Sequence, residues 1–106
     1  MILYHATTKD RADLIREQGL LVSCADPAAR IKGAWLHTKS QSPWAILHTM
    51  RKHKAQFEHI VILKVSIPRL VLTRFKTGLW YTKQDVMPEH IVEVISSDTY
   101  AASRSE

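Results

Sequence analysis

The chain has 106 residues, with 15 Lys and Arg against 10 Asp and Glu, a formal charge of +5, and 45% hydrophobic residues. That length holds one domain with a core of its own, and the composition is that of an ordinary globular protein. It excludes a disulfide scaffold, because Cys24 is the lone cysteine, and no Cys/His spacing matches a zinc site. No apolar run approaches the roughly 20 residues of a membrane helix, and the start MILYHATT does not read as a signal peptide. The expected setting is cytoplasmic, without membrane. The positive charge favours an anionic partner, either nucleic acid or a phosphate-bearing small molecule.

Ile2 to His5 reads as a short strand, with His5 at its end. Thr7 or Thr8 opens a helix, Thr7 and Asp10 having the spacing of a capping box. Ala12, Leu14 and Ile15 mark its apolar face, Gly19 its stop, and Leu20 to Val22 a short extended piece. A loop follows with Asp26-Pro27, Arg30 and Lys32. Gly33 to Thr38 is a second strand, and Gly33 is expected at positive φ. Alternation places His37 on the face of Trp35. Ser42 is a natural cap with Pro43 in the first turn, and Trp44, Ile46, Leu47 and Met50 supply an apolar helix face. This second helix ends in the basic run Arg51, Lys52, His53, Lys54.

Ile60 to Ile67 is nearly continuous in apolar residues and reads as a strand flanked on both sides. Pro68 ends it. Leu70 to Phe75 is a further strand or a tight turn, Gly78 to Thr82 a strand, Gln84 to Pro88 a loop and His90 to Ile95 the last strand. Residues 1–95 form the single domain, and 96–106, rich in Ser and Ala, form a tail expected to fray. Few helices and many short strands give an α+β class. Gly occurs only at 19, 33 and 78, so no Gly-rich phosphate loop is present.

Three segments together resemble the ADP-ribosyltransferase superfamily, and most closely its RNA 2′-phosphotransferase branch. The first is LYHATT followed by LIREQGL, with His5, Thr7 and Gly19-Leu20 at the matching places. The second is GAWLHTKSQSPWAI, with Trp35 in the aromatic position and Ser42 opening the helix. The third is GLWYTKQDVMPEHI, a Gly-hydrophobic-Trp strand, a short loop and a Pro-Glu step into the last strand. The chain departs from that pattern where Tyr4 replaces an Arg and Trp35 a Tyr. Its candidates for the family's carboxylate are Asp85 and Glu89.

The resemblance implies a split β-sheet core, two small sheets around a cleft, with two short helices. It implies an NAD- or ADP-ribose-binding protein, either an ADP-ribosyltransferase or an RNA 2′-phosphotransferase-like enzyme. The alternative is a non-catalytic nucleotide- or nucleic-acid-binding or interaction module on the same scaffold. The residues expected to act are His5, Trp35 and His37. Those expected to hold NAD are His5, Thr7, Trp35, Ser42, Trp80 and Tyr81. Arg51, Lys52 and Lys54 are the expected RNA or polyanion contacts. No metal is expected.

Overall fold

The segment ILYHATT is extended beyond its first four positions. In the computed structural model, which describes residues 1–24 and 30–98, it forms a seven-residue strand, β1 (Ile2–Thr8). Thr8, not Thr7, caps the helix that follows, α1 (Lys9–Gln18); its hydroxyl accepts from the Arg11 amide at 3.4 Å. Gly19 stops α1 at φ 89, a conformation that favours glycine. Leu20 makes an isolated bridge to Val86, and Val22–Cys24 forms a 3₁₀ turn. Asp26-Pro27 lies outside the described residues.

β2 (Ala34–His37) leads through a 3₁₀ turn into α2 (Ser42–His53). β3 (Ile60–Ser66) is the continuous apolar strand. β4 (Thr73–Lys76) and β5 (Leu79–Thr82) form a hairpin turned at Gly78, which has φ 82. β6 (Ile91–Ser96) closes the sheet. It runs one residue into the expected tail, and Ser97 beyond it is 1% exposed and donates to the Phe57 carbonyl at 2.6 Å. The folded unit therefore extends past residue 95, and residues 99–106 lie outside the described set.

The strands form one antiparallel sheet in the order β4-β5-β2-β1-β3-β6, rather than two sheets. Its seams are unequal. β1 pairs with β3 through seven successive residues, Ile2↔Ser66 to Thr8↔Ile60. β1 meets β2 at one pair only, Tyr4↔His37. The sheet is continuous but parts at its middle.

Directly opposed residues share a face, so the register assigns the two cores. Leu3 of β1 lies with Val61, Leu63 and Val65 of β3 and Leu36 of β2 under Ala12 and Ile15 of α1. On the other face Ala6, Ile60 and Ile62 pack under Ala45 and Ile46 of α2. The helix α2 buries Ser42, Ala45, Ile46 and Thr49, whereas Trp44 and Leu47, expected inside, are exposed. Small residues let the helix lie close to β1, and Thr49 donates back to the Ala45 carbonyl at 2.7 Å.

Candidate functional site

The parting between β1 and β2 opens a cavity of about 370 Å³, within the range of small-molecule sites. His5 stands at the parting. It lies in the middle of an internal strand, not at a strand end as expected. Its Nδ1–H donates to the Trp35 carbonyl at 2.9 Å, so the imidazole takes up a β2 backbone acceptor where the β1–β2 pairing has stopped. Burial, foremost, with His37, Lys52 and Arg11 nearby, lowers the His5 pKa to about 4, against the hydrogen bond, which raises it. At neutral pH the ring is uncharged, and with the proton on Nδ1 its Nε2 is an acceptor.

His37 lines the same cavity from β2 and is 4% exposed. Its Nδ1–H donates to the Thr38 carbonyl at 2.8 Å, and burial holds its pKa below the ordinary value. Its Nε2 is buried without a hydrogen-bond partner among the described residues. Such an acceptor is unusual in a folded interior and points to a missing donor. Tyr4 stacks on the His37 ring with centroids 6.2 Å apart.

Around these two imidazoles the lining divides by chemistry. Thr7 and Thr49 bring hydroxyls, Trp35 and Trp44 bring aromatic faces, and Arg11 and Lys52 bring positive charge. Trp44 is 48% exposed and stacks on His48 at 5.2 Å, with planes 14° apart. His53 completes the wall; burial, then Arg11, Lys52 and His48, keep its pKa below the ordinary value. Among the described residues the lining contains no Asp or Glu. The two candidate carboxylates lie elsewhere. Asp85 accepts from the Val22 amide at 2.7 Å and so ties a loop, and Glu89 is in an exposed 3₁₀ turn. No group of three or more His, Cys, Asp or Glu among the described residues forms a metal site.

The expected site residues thus separate. His5, Thr7, Trp35 and His37 come together in one cavity. Trp80 does not join them: it pairs with Leu36, belongs to the core under α1, and carries the Arg69 guanidinium 4.6 Å above its ring. Tyr81 pairs with Trp35 and packs against it at 5.1 Å, outside the cavity lining. Ser42 is in the first turn of α2, whose N-cap is Gln41; its hydroxyl makes no cap and has no partner among the described residues. Of the basic run, Lys52 lines the cavity, while Arg51 and Lys54 do not. Lys54 is the left-handed C-cap of α2.

Sequence reading missed Arg11, His48 and Thr49. The helical periods were the available signal: Trp44, His48 and Lys52 recur every four residues and share one side of α2. No helix among the described residues is long and apolar enough to cross a membrane. No protein-family model and no curated protein matches the chain.

Proposed function

We propose that the cavity binds an anionic nucleotide of the NAD or ADP-ribose class, and that the domain acts as a transferase on it. The observation that carries this reading is the composition of the lining: two cations, four histidines, two tryptophans and no carboxylate among the described residues. Such walls attract phosphate and repel nothing anionic. The neutral His5 offers Nε2 to a ribose hydroxyl, Arg11 and Lys52 hold phosphate, and Trp35 or Trp44 offers a flat face to a ring. The buried His37 Nε2, without a partner among the described residues, is a further acceptor in a residue of the same lining.

A bound NAD would supply a ribosyl group on a labile bond to nicotinamide. The chain's contribution is then positioning and a fixed electrostatic frame. The lining has no carboxylate among the described residues, so an acceptor hydroxyl would give its proton to a neutral imidazole such as His5, whereas an acceptor already ionised, such as a phosphate, needs no base. The same observation favours a second reading, a nucleotide-binding module without catalysis.

The test is a pair of assays. Calorimetric titration with NAD and ADP-ribose should give saturable binding, and ligand at about 100 times its Kd should stabilise the fold by about 2.7 kcal/mol. His5→Ala should weaken binding about tenfold while removing roughly 1 kcal/mol of stability. Unchanged affinity with a large fall in melting temperature would make His5 a structural plug and remove the support for a ribose site. Nicotinamide release in the presence of a phosphorylated acceptor, measured on the wild type, separates the transferase from the binding module.

A further inference from the structure

The sheet face that carries Trp35 is only half covered. α2 packs on β1 and β3, and among the described residues no helix packs on the β2-β5-β4 part beside it. On that open part three aromatic rings form a cluster. Trp35 meets Tyr81 at 5.1 Å and Phe75 at 5.2 Å, edge to face, and Phe75 is 53% exposed on an edge strand whose four residues are all exposed. Register places Lys76 opposite Leu79, hence on the face of Trp35 and Tyr81, and Lys83 follows directly beyond the end of β5.

The positive charge of the chain is concentrated in the stretch that supplies this part of the sheet, though Arg69 and Arg74 lie with Trp80 on the opposite face. Eleven of the 15 Lys and Arg residues lie between positions 27 and 84, with one of the 10 acidic residues, Glu58. That stretch supplies β2, α2, β3, β4 and β5. Most described acidic residues lie elsewhere: Asp10, Asp13 and Glu17 on α1, which covers the opposite face, and Glu89 and Glu93 before and within β6, at the other end of the sheet; Asp85, two residues beyond Lys83, is engaged by the Val22 amide.

We infer that this open face binds single-stranded nucleic acid, with bases stacked on Phe75, Tyr81 and Trp35 and phosphates held by Lys76 and Lys83. Splayed bases supply flat partners for the exposed Phe75 ring and for the half-buried Tyr81 and Trp35 beside it, and the backbone supplies negative charge at a spacing that lysines on neighbouring strands can follow. An acidic peptide satisfies the charge but leaves the rings without a partner. A duplex hides its bases in the stack. The inference does not rest on the nucleotide proposed for the cavity, since Phe75, Lys76, Tyr81 and Lys83 are outside its lining; Trp35 borders both.

The test is fluorescence anisotropy of the full chain with a labelled short oligouridylate. Affinity should fall steeply between about 50 and 200 mM salt. Phe75→Ala should weaken binding about tenfold, and Phe75→Trp should restore it. Lys76→Glu with Lys83→Glu should weaken binding more and flatten the salt dependence. Circular dichroism melts of these exposed-site variants should match the wild type, and their titration with NAD should be unchanged. Failure of the wild type to bind at low salt, wild-type affinity in both variants, or equal competition by polyglutamate would each overturn the inference. None of these results would alter the NAD titration by which the cavity is judged.

Discussion

β1 has two neighbours and treats them differently. Toward β3 it is paired along its whole length, and the side chains from that seam, among them Leu3, Ile62, Leu63 and Val65, are buried under one helix or the other. Toward β2 it keeps a single pair, and the side chains at that seam are His5, His37, Thr7 and Trp35. The β3 side of the closed seam is apolar apart from Lys64 and Ser66; the open seam is lined by imidazoles, hydroxyls and cations. Where pairing ends, backbone acceptors need other partners. His5 answers for one of them at Trp35, and the opening that remains is the place for a ligand. One strand can therefore anchor the core along one edge and shape a site along the other.

The contrast can be broken at the closed seam. Leu63 is 1% exposed and central to β3. Leu63→Ala should destabilise the domain by about 2–5 kcal/mol, the transfer loss plus the cavity left behind. Urea denaturation measures it. A cost under about 1 kcal/mol would mean that the closed seam is not the mechanical centre of the fold.

Acid should act on the open seam. His5 has its pKa lowered to about 4 from 6.5, and His37 is lowered in the same direction by burial. The folded state holds these rings neutral while the unfolded chain protonates them near 6.5. Stability is therefore full above pH 6.5 and is lost as pH falls from 6.5 toward 4. Each tenfold change in proton affinity is worth about 1.4 kcal/mol, so His5 accounts for up to about 3 kcal/mol, reduced by its partial exposure. Denaturation midpoints across that window should fall for the wild type and fall less for His5→Asn, whose amide can still donate to the Trp35 carbonyl. Equal slopes in the two proteins would show that acid acts elsewhere.

A finer comparison comes from Gly33, just before β2. Positive φ was the expectation, yet only Gly19 and Gly78 adopt it among the described glycines. The constraint at Gly33 is proximity: a Cβ there would lie 2.8 Å from the Thr82 carbonyl oxygen of β5. Gly33→Val should cost about 1–3 kcal/mol through displacement of the β2–β5 contact. Because Gly33 also lines the cavity, a thermal melt should be read beside an NAD titration. A normal melt would show that β5 yields without penalty.

Much of the architecture was written in local pattern. Gly19 marks its turn because few other residues take that backbone angle, and IVILKVS reads as a flanked strand because only two covered faces require so long an apolar run; Gly78, read as the start of a strand, instead turns the β4–β5 hairpin. Alternation also put Trp35 and His37 on one face. Periodicity, however, says that a strand has two sides and leaves open which neighbour covers each. Trp80 and Tyr81 are adjacent in sequence and part to opposite faces, and only the pairing of β5 with β2 decides that Trp80 goes to the core. The helix α2 misleads for a related reason. Its large apolar residues suggested the buried side, but close packing on β1 selects Ser42, Ala45 and Thr49, whose small side chains permit the approach. The open seam itself has no sequence signature. It exists because β1 is held along its full length by β3 and by β2 at one pair, and pairing between segments so far apart in the chain is set by the packed whole.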